Sequence, residues 1–144
     1  MDEISNAERL LKLINKDPEI TAKLLGEIAN QGQGGNMFRI NEDANIDGTH
    51  YQTSVVIPPR DLVDLLGPYL EGDGKISGQY ILETKSGSVV SIYEYKSTSL
   101  YDPMNPDPKV FWDSDKPYRF HIGAHSENVA SLCKEFVERR QKTL

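Results

Sequence analysis

The sequence predicts an α+β fold: a small antiparallel sheet with two packing helices, preceded by an N-terminal helical segment. Three observations carry that expectation. Apolar residues recur at helical spacing near both ends of the chain. Short β-branched and aromatic runs bounded by Gly and Pro fill the middle. A glycine-rich tract separates the first helical stretch from everything that follows.

At the start, Ser5 and Glu8 form an S-x-x-E capping box, and Leu10, Leu11 and Ile14 supply an apolar stripe. Asp17-Pro18 is a fresh start signal, since Asp accepts orphan N–H groups and Pro fixes φ where no donor is needed. Ile20, Leu24, Leu25 and Ile28 then continue at helical spacing, giving two short helices or one broken at Asp17-Pro18. The tract Gln31-Gly32-Gln33-Gly34-Gly35-Asn36 loses much backbone entropy on ordering and has no apolar side chain to offset it. The expected organisation is a helical segment at 1–31, a linker at 32–37 and an α+β domain at 38–144.

Within that domain, His50 to Ile57 is β-branched and ends at Pro58-Pro59, which predicts a strand. Arg60 to Leu66 carries Leu62, Val63, Leu65 and Leu66 before Gly67-Pro68, a short helix with a glycine stop. Ile76 to Lys85 and Ser88 to Lys96 read as strands joined by a hairpin at Ser86-Gly87. Tyr118 to Ile122 is a further short strand. Ser126 caps a last helix whose Val129, Leu132, Cys133, Phe136 and Val137 share one face.

In Ser88 to Lys96, Val89, Ser91, Tyr93 and Tyr95 alternate with Val90, Ile92 and Glu94. Both faces are partly apolar, so helices are expected on one face. The N-terminal helices, a second subunit or a ligand would touch the other. Ser97 to Pro117 reads as a long loop that holds Pro103, Pro106, Pro108 and Pro117 with Tyr101, Phe111 and Trp112. Its aromatics need burial, which an arm over a neighbouring subunit would supply. A homo-oligomer is therefore expected.

Charge and cysteine usage exclude several classes. Lys+Arg 16 against Asp+Glu 22 gives a net charge of -6, which repels phosphate backbones and argues against non-specific nucleic-acid binding. The single Cys133 can form neither an internal disulfide nor a thiolate metal site. No apolar run approaches a membrane span of roughly 18 residues, and no signal-peptide layout is present, so a cytoplasmic protein without a membrane partner is expected.

Few motifs carry chemistry. Asp43-Ala44-Asn45-Ile46-Asp47-Gly48 matches the first half of a calcium loop, but Ser54 stands where the bidentate Glu belongs, so an Asx-rich turn is expected. His121 and His125 flank a strand end, where four residues span about 13 Å, too far for a shared zinc unless the chain reverses at Gly123. Gly72-Asp73-Gly74-Lys75 lacks the remaining residues of a phosphate loop and reads as a turn. The Gly32 to Gly35 tract lacks the strand that precedes a dinucleotide fingerprint. There is no G-x-S-x-G elbow, and Cys133 lies on an apolar helix face. The sequence thus points to no catalytic residue, no metal and no cofactor, and to a protein that is not an enzyme.

Arg119 and His121 are a better lead, because they alternate with Phe120 and Ile122 and so share one face of a strand. Arg can fork onto a phosphate and His can donate to one. Tyr93 and Tyr95, on a nearby strand, can stack on a base. In Glu138-Arg139-Arg140-Gln141-Lys142 the cations complement the helix dipole, and either arginine, Arg139 being the one singled out, is a further candidate phosphate contact, within the chain or across a subunit interface. The ordinary alternative is a solvated sheet face with incidental ion pairs.

The order of Leu65-Leu66-Gly67-Pro68, Gly72-Asp73-Gly74-Lys75, Ser91-Ile92-Tyr93-Glu94-Tyr95-Lys96 and Phe120-His121-Ile122-Gly123 resembles a family of small bacteriophage proteins. Across roughly residues 50 to 140 the chain looks like the Thoeris anti-defence sponge proteins, with Phe120 where that family usually carries Trp. The resemblance implies a non-enzymatic, oligomeric viral protein of the infected host's cytoplasm. Such a protein holds a cyclic ADP-ribose isomer or a cyclic oligonucleotide without cleaving it. The contrasting expectation is an acidic, anti-CRISPR-like inhibitor that binds a host defence protein. The negative charge concentrates in residues 1–48, where 9 acids and 5 bases give -4, against 7 and 7 in residues 97–144. Pulldown of a host enzyme with steep salt dependence would mark the inhibitor.

Overall fold

Hydrophobic alternation at 50–57, 76–84, 89–93 and 118–124 resolves into neighbouring strands of one sheet in the computed structural model. The structure describes residues 38–144, and Phe38–Leu144 is one of two compact units of the chain. The helices expected over 1–31 and the linker at 32–37 lie outside the described residues. In order, the elements are β1 (Phe38–Ile40), β2 (His50–Ile57), α1 (Pro59–Leu66), β3 (Leu70–Asp73), β4 (Ile76–Thr84), β5 (Val89–Tyr93), α2 (Pro108–Trp112), β6 (Tyr118–Ala124) and α3 (Glu127–Gln141).

All pairings are antiparallel, in the order β1-β4-β5-β6-β2, and β3 joins β4 on the edge that β1 also uses. The fold class is α+β, with the three helices on one face of the six-stranded sheet. Register explains why. Tyr80 and Leu82 of β4 face Ile92 and Val90 of β5, and Ile92 and Val90 face Ile122 and Ala124 of β6. Val55 of β2 faces Phe120. These residues are buried and share one side of the pleat with Leu62 of α1, Trp112 of α2 and Ala130, Cys133, Phe136 and Val137 of α3. Ring contacts tie the layers: Phe38 meets Phe136 at 5.5 Å and Trp112 meets Phe120 at 5.5 Å. Burial pushes the Cys133 thiol pKa upward, so this cysteine acts as a small core residue.

Local signals fix the ends of elements. Pro59 starts α1, and Gly67 ends it at φ 88, with its N–H donating to Val63 O at 2.7 Å. Gly87 takes φ 88 in the β4–β5 hairpin. Ser126 Oγ accepts the Val129 N–H at 3.4 Å to cap α3. Leu132, expected on the buried face of α3, sits at its exposed rim.

The 97–117 segment, expected as one long loop, contains a short helix. Asp107 accepts the Lys109 N–H at 2.9 Å and Pro108 follows, so an Asp-Pro start signal opens α2. Phe111 and Trp112 are buried within their own chain, so these two rings need no neighbouring subunit. Trp112 stacks on Tyr69 at 4.3 Å, and its Nε1 donates to Ser77 Oγ at 3.1 Å. Gly78 makes room for this stack: a Cβ there would lie 2.5 Å from Tyr69 Cδ2 and 2.7 Å from Trp112 Cζ2.

Candidate functional site: the open face of the sheet

The pleat that buries Phe120 and Ile122 turns Arg119 and His121 of β6 to the face opposite the helices. Register brings partners to them. Tyr93 of β5 stands opposite His121 on one side, and Ser54 of β2 stands opposite it on the other. Gly123 helps to seat the tyrosine, because a Cβ there would meet Tyr93 Cε1 at 3.5 Å and Ser91 Oγ at 3.0 Å.

A β-bulge adds a third ring. Between Tyr51 and Thr53 the β2–β6 register shifts, with Tyr51 opposite Gly123 and Thr53 opposite Ile122. Strict alternation would put Tyr51 on the helix side with Thr53, Val55 and Ile57. The bulge delivers it to the open face instead. Gln52, the extra residue, donates from Nε2 to Ala124 O at 3.1 Å.

Tyr95 lies beyond the end of β5, and Glu94 accounts for its placement. The Glu94 carboxylate turns into the interior and accepts the backbone N–H groups of Ser77 and Ser97, the latter at 3.0 Å. It is fully buried, and it serves a strand N–H that β5 no longer reaches. The next residue therefore returns to the open side.

The outcome is an imidazole ringed by three phenols. His121 lies 4.7 Å from Tyr51, 5.4 Å from Tyr93 edge-on and 5.4 Å from Tyr95 in a stacked arrangement. Burial lowers the His121 pKa below its ordinary value of 6.5, which leaves the ring neutral at pH 7. Burial also raises the Tyr93 pKa, with Tyr95 and Tyr51 adding to the shift. At neutral pH the cluster is an uncharged aromatic surface with hydroxyl and imidazole hydrogen-bonding groups. Beside it, the Arg119 guanidinium donates from Nη1 to Ser54 Oγ at 3.0 Å and forms no ion pair among the described residues. Its remaining donors can serve a carboxylate or phosphate.

Four of the five residues singled out from the sequence, Tyr93, Tyr95, Arg119 and His121, thus share one surface. Arg139 does not join them. It sits on α3, in the layer on the opposite side of the sheet, and pairs with Glu135 one turn earlier at 3.5 Å. Tyr51 and Ser54 were missed. The bulge that places Tyr51 has no glycine or proline to announce it, and the role of Ser54 depends on pairing with a strand 65 residues away.

The other motifs resolve as local structure. Asn41 Oδ1 accepts the Asp43 N–H at 3.1 Å and Asn45 Oδ1 accepts the Asp47 N–H at 2.9 Å, the Asx turns expected at that site. Asp73 pairs with Ile76 to close the β3–β4 hairpin around Gly74 and Lys75. Among the described residues, no group of three or more His, Cys, Asp or Glu side chains could hold a metal ion, and no helix is long and apolar enough to cross a membrane. No model of a known protein family and no curated protein matches this chain.

Proposed function

We propose that this protein is a non-catalytic trap for a cyclic nucleotide messenger, a phage-encoded anti-defence protein acting in the cytoplasm of the infected host. The observation that carries this reading is the cluster of Tyr51, Tyr93 and Tyr95 around a neutral His121, with Arg119 alongside. Every nucleobase has a π-face, and stacking on an aromatic side chain contributes about 1–3 kcal/mol per base. A guanidinium held by a serine hydroxyl supplies a charged partner for phosphate. The motif resemblance to the Thoeris anti-defence sponge proteins supports the same ligand class, and no cofactor is needed to hold it.

The trap works as a homo-oligomer, with the exposed rings of Tyr51, Tyr95 and Tyr101 available at its surface. Arg139 reaches a ligand only from another copy. The deciding experiment incubates the protein with cyclic ADP-ribose, removes unbound nucleotide and denatures the complex by heat. Intact cyclic ADP-ribose is expected in the supernatant at a stoichiometric amount. Recovery of a hydrolysed product, or of no nucleotide, overturns the reading.

A further inference from the structure

We infer that Lys96 is a second anion contact of this aromatic surface, in addition to Arg119, for a phosphate of the guest. The inference rests on the proposed trap function and names a contact residue that reading does not use. Three observations lead to Lys96 from the structure itself.

The first is position. Lys96 Nζ lies 5.0 Å from the centre of the Tyr95 ring and 5.2 Å from that of Tyr101. The Tyr95 ring in turn stacks on His121 at 5.4 Å. Cation, phenol and imidazole therefore form one continuous run. Lys96 marks its β5 side, while Arg119, bonded to Ser54, marks its β2 side.

The second is backbone. Lys96 has φ 60 and is the only non-glycine residue at positive φ among the described residues. A lysine gains nothing locally from the left-handed region, and such conformations persist where the surroundings impose them. Here the Lys96 N–H donates to Lys75 O at 2.6 Å, and the Lys96 carbonyl accepts Asn105 Nδ2 at 3.0 Å. Asn105 also donates to Thr98 O at 3.3 Å, which closes the following loop upon itself. A long, flexible cation is thus mounted on a pinned backbone.

The third is charge. Neither Lys96 nor Arg119 forms an ion pair among the described residues, in a chain with six more acids than bases. An ammonium over ring faces is attracted by them but still has three N–H donors to place. A phosphate oxygen satisfies those donors where a ring cannot. Two cations without an ion pair among the described residues, on the same surface as the stacking rings, suit a guest with more than one anionic group.

The test compares Lys96→Asn with the unaltered chain, because Asn accepts the left-handed backbone while the ammonium and its stem are removed. Lys96→Gly is the second variant and relieves the backbone altogether. Thermal melting checks that both fold. Isothermal titration uses two probes: cyclic ADP-ribose, which has the diphosphate, and adenosine, which has none. Loss of about tenfold or more in cyclic ADP-ribose affinity is expected in both variants, with adenosine affinity within about twofold. The salt dependence of cyclic ADP-ribose binding should also become shallower. Unchanged cyclic ADP-ribose binding by the folded variants overturns the Lys96 assignment and leaves the trap reading standing. Equal losses for both probes also overturn it, because Lys96 would then be supporting the rings. Failure of the unaltered chain to bind either probe overturns the trap reading and, with it, this inference.

Discussion

Glu94 illustrates how one carboxylate can set the geometry of a site it does not enter. Its two backbone donors, Ser77 and Ser97, are left without partners if the side chain is removed. Glu94→Ala should cost about 3 kcal/mol in denaturant unfolding, while Glu94→Gln, which keeps one acceptor oxygen, should cost roughly half of that. Equal costs would mean that the lost volume, and not the hydrogen bonding, dominates. The role was only half legible: alternation put Glu94 on the same side as Val90 and Ile92, but nothing local in the sequence names Ser77 as its partner. His121 carries a second consequence at this scale. Its folded pKa lies below 6.5, so the unfolded chain binds more protons as the pH falls through that value. Its contribution to stability is therefore complete above about pH 6.5 and is lost on acidification toward the folded pKa. His121→Phe should flatten the decline in unfolding free energy between about pH 7.5 and 5, and an identical slope in both proteins would contradict the burial. The rings packed against the imidazole in the unaltered chain are those of Tyr51, Tyr93 and Tyr95, and Arg119 lies two residues away on the same strand face.

Elements with strong local signals were readable. The β2 bounds match the β-branched run, α1 stops at Gly67 and the β4–β5 hairpin turns at Ser86-Gly87. Elements defined by their partners were not. β1 has three residues and β3 has four, and both exist because β4 offers them an edge. α2 was hidden because five residues cannot show helical periodicity, although Asp107-Pro108 announced its start. The burial of Phe111 and Trp112 within their own chain was hidden for a related reason. Tyr69 and Gly78, which receive Trp112, lie far away in sequence and carry no mark of that task. Gly78→Ala should displace the Tyr69–Trp112 stack and cost about 1–3 kcal/mol by thermal or denaturant melting. A melting curve unchanged from the parent would show that the rings can yield at no cost.

At the scale of the molecule, sidedness was legible and depth of assembly was not. Alternation alone placed Arg119 and His121 together on one face, because a pleat leaves no other choice. Recruitment of Ser54 and Tyr51 needed the β2–β6 pairing, and the exclusion of Arg139 needed the helix layer to be assigned to the other face. That pairing joins the second strand to the last, so loop closure is costly and its contacts are non-local. Refolding should therefore be slow for a chain of this size, in the millisecond-to-second range typical of sheets with distant pairings. Stopped-flow refolding should show Tyr51 and His121 meeting in the same phase as global folding. An early microsecond phase that assembles them would contradict this.

The two faces also differ in what light they return. The only tryptophan, Trp112, is buried on the helix side against Tyr69, Tyr80 and Phe120, while the rings around His121 are all tyrosines. Emission excited selectively from the indole thus follows integrity of the interior and is nearly blind to occupancy of the opposite surface. Absorbance and emission of the phenols include the open face, together with Tyr69, Tyr80 and Tyr118 on the helix side. A change in the phenols at constant indole emission therefore marks capture, and a change in both marks unfolding, with no dye attached.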